Sequence, residues 1–414
     1  MREKLAPAQS YELNIMASAI GRFAVPNIDN ETVAQTNILT ETALERVLQT
    51  DAPLVPNSMP ELLEQAIIFD KKIKNQLETG PAQEHLKDSL LNESLRIIDN
   101  HKKGCETLLA QNPPTEQLVS RDDIAGGYGL SDMWVDAPSL IDEEVSNWGY
   151  HTKHPAVSGY LNRLVSKPET SQLIGFIHKD ILGLENDLDT NVYITKDDAS
   201  HHLFWAPTSE GLAYATPISY DRSIQLSFDL PHNVAHLAHL AALDKELGVN
   251  RYTDSMDERA YFEGVAVLSE YIMAKTCSLN SEALNEMAQI FELPVNDNVV
   301  RELSCWLEND RRYEFKLRAA RLYSDLLVTQ GLSFQEIVIE VSSKLGIDSD
   351  VARAEAAKYL PWTGLGSVYT TGYRKLLNAG IESVETAITG LNGAIRSWEQ
   401  FDYENSQGLI IREK

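Results

Sequence analysis

Apolar residues recur at spacings of three and four along most of this chain, as in TETALERVLQT (40–50), MPELLEQAIIFDKKIKNQLETG (59–80) and EHLKDSLLNESLRIIDNHKKGCETLLAQ (84–111). That period places them on one face of an α-helix, which must bury the face against other helices. The third stretch stops at the prolines of NPP, which cannot continue a helix. One block breaks the pattern. Between about 191 and 228 the segments NVYITK, HHLFWA, LAYATPI and SIQLSF are short, rich in β-branched and aromatic residues, and separated by turn formers. The expected fold is therefore mainly α with a small β-sheet at about 191–228. SGYLNRLVSKPETSQLIGFIHKDILGLENDL reads as two helices broken near Pro168, and SFQEIVIEVSSKLG and SVETAITGLNGAIRSWEQF each read as one late helix. The glycine-rich RDDIAGGYGLSDMW lacks the strand, helix and Lys-Ser/Thr of a phosphate loop, so no nucleotide role attaches to it. No linker or repeat divides the chain. Its expected organisation is an N-terminal helical region, 1–190, and a region bearing the chemistry, 191–414, in two domains or one.

Charge narrows the partners. Asp and Glu number 61 against 36 Lys and Arg, for a formal net charge of -25. Such a surface repels duplex nucleic acid and anionic membranes. No apolar run reaches the 18 residues of a membrane span, and MREKLAPAQSYELN lacks the apolar core of a signal peptide. Cys105, Cys277 and Cys305 are widely spaced and form no CxxC, the usage of a reducing compartment. The expectation is a cytoplasmic protein whose partner is a small peptide or small-molecule substrate, with no nucleic acid and no membrane.

The chemistry concentrates in FDLPHNVAHLAHLAALDKELG, 228–248, where three of the ten histidines stand at 232, 236 and 239. Asp229 can cap this helix, Pro231 suits its first turn and Gly248 can end it. Side chains three and four apart share a face, so the three imidazoles form one stripe. His232 and His236, one turn apart, can converge on one ion. His239 can be a third ligand, a hydrogen-bond donor behind the ligands or a substrate contact. The competing reading is three half-buried histidines, each satisfied by a backbone oxygen or a carboxylate. The next helix, SMDERAYFEGVAVLSEYIMAK, opens with capping-box spacing at Ser255 and Glu258. Glu263 and Glu270 lie seven apart on one largely apolar face, and a carboxylate buried there needs a partner. A metal ion would supply one; an Arg or His would serve equally. Gly264 costs helix propensity, which close packing of another helix, or of the histidine helix itself, would explain. The ligand set read here is His232, His236 and Glu263, a donor set that suits zinc and also iron or manganese.

FEGVAVLSE is similar to the Glu-Gly-Trp-Ala segment of domain-of-unknown-function family 885, relatives of the helical, gluzincin-like zinc metallopeptidases. LRAARLYSDLL resembles that family's Arg-x-x-Arg-x-x-x-Asp segment, which falls on Arg318, Arg321 and Asp325. ARAEAAKYLPWTGLGSVYTTGYRKLL resembles its Pro-Gly-x-x-x-x-Tyr-x-x-Gly segment, with Tyr359, Tyr369 and Gly372 in place. The resemblance covers about residues 220–375. It implies a helical metallopeptidase-like fold with a deep cleft, and zinc held by two histidines and Glu263. It also implies peptidase activity, with arginines and tyrosines, here Tyr369 and Arg374, contacting substrate or the developing oxyanion.

Two departures qualify it. The family's His-Glu-x-x-Pro-Gly-His becomes His232-Asn233-x-x-His236, and position 238, six on from His232, is alanine. Asn233 replaces the glutamate that would take a proton from the attacking water, and a neutral amide cannot do so. Losing a positioned base removes ~10²–10⁴-fold of rate. Glu270 or Glu258 would have to substitute, although Glu270 lies about 10.5 Å along the helix from Glu263. Asn233, Glu270, Tyr369 and Arg374 are thus the residues expected around the reaction. Three functions stay open: a metal-dependent hydrolase of peptide or amide bonds, a non-hydrolytic iron or manganese enzyme, and an inactive binding or scaffold protein of peptidase ancestry.

Overall fold

The computed structural model describes residues 139, 141–142, 167–184, 190–195, 204–208, 211–217, 230–247, 256–359, 364–390, 393–395 and 397–410. The helices read at 40–50, 59–80 and 84–111, the segment SIQLSF and Cys105 lie outside them. Within them the chain is mainly helical with a small sheet. In order come α1 (Lys167–Phe176), β1 (Thr190–Thr195), β2 (Phe204–Thr208), β3 (Gly211–Pro217), α2 (Leu230–Leu247), α3 (Met256–Leu279) and α4 (Ser281–Ile290). Then follow α5 (Asp297–Val328), α6 (Phe334–Leu345), α7 (Ser349–Tyr359), α8 (Leu365–Asn378), α9 (Val384–Ile388), β4 (Thr389–Gly390), β5 (Gly393–Ala394) and α10 (Trp398–Ser406). Among the described residues no helix is long and apolar enough to cross a membrane. They fall into two compact units. One contains 317–368; the other contains 257–316, 369–410 and the described residues from 167 to 247.

The second unit carries the histidine helix. Helix α1 begins at Lys167, so Pro168 lies in its first turn, where a missing N–H costs nothing. It runs on into a π turn, Ile177–Ile181, closed by Leu182 N–H donating to the Ile177 carbonyl at 2.9 Å. The sheet has the order β1-β3-β2, with β1 parallel to β3 and β2 antiparallel to it. The β2–β3 hairpin returns the chain to the middle of the sheet, which leaves β2 on an edge beside α2. Helix α2 buries Val234, Ala235, Leu237, Ala238, Leu240 and Leu243, and α3 buries every residue from Ala260 to Glu270. Helices apolar on nearly all sides belong in a core.

Gly264 shows why one position in α3 has no side chain. A Cβ there would lie 3.1 Å from the Gly372 backbone of α8 and 3.1 Å from the Trp398 ring. A Cβ on Gly372 would lie 2.8 Å from the Gly264 Cα. The two glycines let α3 and α8 touch backbone to backbone, one residue from Glu263. The helix packed here is α8, not the histidine helix.

The reading of SVETAITGLNGAIRSWEQF as one helix is corrected. Helix α9 stops at Ile388, a two-stranded hairpin follows, and α10 starts afresh at Trp398. Gly393 takes φ 117°, which L-residues rarely adopt. Thr389 pairs with Ala394 and Gly390 with Gly393, and Ile395 N–H donates to the Ile388 carbonyl at 2.8 Å. Two serines supply fresh starts: Ser383 accepts from the Thr386 N–H and Ser397 from the Gln400 N–H. The apolar period persists across the break because both halves face the same core, with Ile388, Ile395, Trp398 and Phe401 all buried.

In the first unit Ser333 and Glu336 form a capping box for α6, and Gly346 ends that helix at φ 55°. Arg318, Arg321 and Asp325 are buried there. The Arg321 Nε donates to Glu355 Oε2 at 2.6 Å. Asp325 accepts from the Gly364 N–H at 3.1 Å, the Ser367 N–H at 2.9 Å and the Ser367 hydroxyl at 2.7 Å. It thereby satisfies amides at the start of α8 that have no partner within the helix. Burial pushes its carboxyl up to about 7, against the pull of those three donors.

Helix propensity alone would favour alanine over glycine by about 1 kcal/mol, but the Gly264–Gly372 contact reverses the sign. Gly372→Ala is expected to destabilise the protein by about 1–3 kcal/mol, the usual cost of overpacking. Thermal unfolding checks this, and a Tm equal to or above that of the parent chain contradicts the packing account.

Candidate metal centre

Helices α2 and α3 bring three ligand-type side chains together: His232, His236 and Glu263. The Nε2 atoms of His232 and His236 are 3.1 Å apart. Glu263 Oε2 lies 3.2 Å from the first and 3.7 Å from the second. The point equidistant from corners spaced this way is about 1.9 Å from each, close to the ~2.0–2.1 Å of zinc–nitrogen and zinc–oxygen bonds. Four-coordinate tetrahedral ligands held at those bond lengths stand about 3.3–3.4 Å apart, within the span of the three measured edges. The three separations therefore suit a metal ion shared by these side chains. His236 and Glu263 are buried, whereas the His232 side chain keeps 17% of its surface exposed.

A fourth residue completes the arrangement. Glu270 Oε1 lies 2.7 Å from His232 Nδ1. A proton on Nδ1 donated to Glu270 leaves the Nε2 lone pair facing His236 and Glu263, the orientation that carboxylates impose on metal-binding histidines. Charge points the same way. Within these four side chains Glu263 and Glu270 bring two negative charges, and both are buried. A protonated His232 offsets one of them, while a divalent cation with neutral imidazoles offsets both. Burial opposes the charge on His232, yet the hydrogen bonds and negative charges of Glu263 and Glu270 outweigh it and raise the imidazole to about 9.

The other expected residues take separate places. Asn233 is buried beside His232 on α2. His239 stands apart from the three ligand atoms: its Nε2 donates to the Ile395 carbonyl at 2.5 Å. Burial lowers that imidazole to about 3, against the pull of the carbonyl, so the ring is neutral. Tyr369 is buried on α8, one turn before the Gly372 that abuts Gly264. Arg374 is half-buried on the same helix, its guanidinium 5.5 Å from the Tyr373 ring centroid. Glu258 lies in the first turn of α3 and is half-buried.

Sequence reasoning missed Tyr261 and Phe262. The Phe262 ring stacks on His239, with centroids 3.9 Å apart and planes 6° apart, and lies 6.1 Å from the His236 ring. The Tyr261 hydroxyl donates to the Ala387 carbonyl at 2.6 Å. Their places immediately before Glu263 are the one signal that could have marked them.

These features describe a mainly helical protein with a buried His-His-Glu cluster able to coordinate a divalent metal ion. No protein family model matches the chain, and no curated protein matches it. Among solved structures it is similar to a protein from Colwellia psychrerythraea, provisionally described as a lipoprotein, at 15% identity and a TM-score of 0.43. That match covers 92% of this chain and 75% of the other. It is also similar to a protein from Shewanella oneidensis, provisionally described as a lipoprotein of unknown function, at 14% identity and a TM-score of 0.44. This second match covers 88% of this chain and 75% of that one.

Glu270→Gln is expected to weaken metal affinity about 10–100-fold without abolishing it, the usual cost of losing the partner of a ligating histidine. Calorimetric titration of the parent chain and the variant checks this, and unchanged affinity contradicts the role given to Glu270. The sign of the pH dependence follows from His232. In the metal-free chain its folded-state value, about 9, exceeds the ordinary 6.5. Its proton therefore stabilises the fold fully below about pH 6.5, and that contribution is lost as pH rises through about 9. Metal must displace the same proton, so affinity is expected to rise with pH up to about 9. Flat affinity between pH 6 and 8 would count against His232 as a ligand.

Proposed function

We propose that this chain is a metal-dependent hydrolase acting on peptide or other amide bonds, with His232, His236 and Glu263 as ligands. The observation that carries the proposal is the convergence of the three ligand atoms at 3.1, 3.2 and 3.7 Å. Three protein ligands leave a coordination position free for water or substrate. When bound, zinc would supply Lewis acidity, polarising a carbonyl and lowering the pKa of water. The chain's own residues do the rest. Glu270 holds the Nδ1 proton of His232 and fixes the ring's tautomer. Tyr369 and Arg374 are the proposed contacts to substrate or oxyanion, on the helix whose Gly372 touches the residue beside Glu263. The outer edge of β2 among the described strands, beside α2, can take an extended substrate as an added strand. The proposed location is the cytoplasm, in keeping with Cys277 and Cys305, both free thiols, one of them exposed.

A second reading rests on a specific pair of observations. Asn233 cannot accept a proton from water, and the carboxylate of Glu270 is already bonded to His232. Neither is available as the general base that hydrolysis ordinarily uses. Two histidines and one carboxylate also suit iron or manganese, whose small-molecule chemistry needs no such base.

Elemental analysis of the purified chain tests the metal, with about one equivalent of a divalent ion expected and none after His232→Ala. Full stoichiometry in that variant rejects the ligand assignment. Asn233→Glu tests the reaction. Restoring the base is expected to raise amide hydrolysis by ~10²-fold or more over the parent chain, measured on a panel of short peptides. A variant that binds zinc yet leaves the whole panel intact favours the non-hydrolytic reading.

A further inference from the structure

The last turn of α9 and the hairpin after it join both ligand-bearing helices through one hydrogen bond each. From α2, the His239 Nε2–H donates to the Ile395 carbonyl at 2.5 Å. From α3, the Tyr261 hydroxyl donates to the Ala387 carbonyl at 2.6 Å. The two carbonyls sit at opposite ends of one short strap, described at 387–390 and 393–395. Its ends are held together by the Ile395 N–H donating to the Ile388 carbonyl at 2.8 Å and by the β4–β5 pairing. All the groups involved are buried: His239, Tyr261, Ala387 and Ile395 are each 0% exposed. A buried donor that loses its acceptor bears a desolvation cost, so both bonds resist sliding.

The same two side chains meet on their inner side. The His239 and Tyr261 rings pack edge to face, with centroids 5.8 Å apart. Phe262, next to Tyr261, lies flat on His239 and faces His236. Tyr261 and Phe262 immediately precede Glu263, and His239 lies one turn after His236. Strap and ring stack together therefore span the helix pair whose separation sets the distance from Glu263 to the two histidines.

We propose that the strap formed by 387–390 and 393–395 is a clamp for the metal centre, with His239 and Tyr261 as its positioning residues. They do not bind the ion; they hold α2 and α3 at the spacing that brings the three ligand atoms within reach of one another. The clamp rests on the metal-centre reading above and adds to it why a third histidine lies on the ligand stripe without being a ligand. It also accounts for the break at Gly390–Gly393. An uninterrupted helix would orient its carbonyls along its own axis, whereas the hairpin turns the chain and leaves the Ile395 carbonyl free for His239.

The test uses the full chain loaded with cobalt, whose visible absorption reports ligand geometry. Tyr261→Phe removes only the hydroxyl and keeps the ring. His239→Gln keeps a donor but loses the stack on Phe262. Asn280→Ala, which removes the cap of α4, is the control for a loss of stability outside the strap. The clamp predicts that Tyr261→Phe and His239→Gln each weaken cobalt affinity about tenfold, the lower end for residues behind metal ligands, and shift the absorption bands. Asn280→Ala should lower Tm and leave affinity and spectrum as in the parent chain. Parent-like affinity and spectrum in both Tyr261→Phe and His239→Gln would overturn the clamp while leaving the metal centre standing. A parent chain that takes up no cobalt would overturn both together.

Discussion

The structure around α2 and α3 depends on how one imidazole is held. His232 meets a carboxylate at each ring nitrogen, Glu270 at Nδ1 and Glu263 at Nε2. Two buried carboxylates seven residues apart on one helix are a heavy electrostatic load for a core. The side chains between them on α3 are apolar or small. His232 of α2 lies against both carboxylates and can offset them through a protonated imidazole or through a cation shared with His236. The first leaves a net negative charge within the four side chains; the second leaves none. A divalent ion therefore suits these four side chains on charge as well as on distance.

That requirement passes outward into the packing. Glu263 can reach the histidines only if α3 lies close to α2, and the neighbours of Glu263 along α3 are shaped accordingly. Gly264 admits the α8 backbone and the Trp398 ring. Phe262 stacks on His239 and faces His236, and Tyr261 reaches the strap. The three residues flanking the carboxylate, Tyr261, Phe262 and Gly264, thus have tertiary partners on α2, α8 and the segment from Ala387 to Ile395. The site is built from core residues, so ligand geometry and stability are coupled.

Much of this was legible in the sequence. Helical periodicity located α2, α3 and α6, because one apolar face repeats in each. The β-branched block announced the sheet, though not its β1-β3-β2 order, which depends on pairings between segments that no local pattern encodes. His232, His236 and Glu263 were legible because i, i+4 spacing fixes a shared face and because a carboxylate on an apolar face demands a partner. Gly264 was legible as a close approach, but not as an approach by α8. The strap was not legible: SVETAITGLNGAIRSWEQF keeps a helical apolar period across two glycines, and the period reflects a common core rather than a continuous helix. Nor was the place of His239, since stripe geometry puts it beside the ligands and only the fold supplies Ile395 as its acceptor. Arg321 and Asp325, drawn from resemblance to the family's Arg-x-x-Arg-x-x-x-Asp segment, have partners within their own unit in Glu355, Gly364 and Ser367.

The central claim is that three atoms from two helices share one ion. Anomalous diffraction from crystals of the zinc-loaded full chain, collected on both sides of the zinc absorption edge, tests it most directly. The account predicts a single strong peak about 2 Å from His232 Nε2, His236 Nε2 and a Glu263 oxygen. A peak on other residues, or His232 and Glu263 bonded directly to each other with no peak between them, would contradict it.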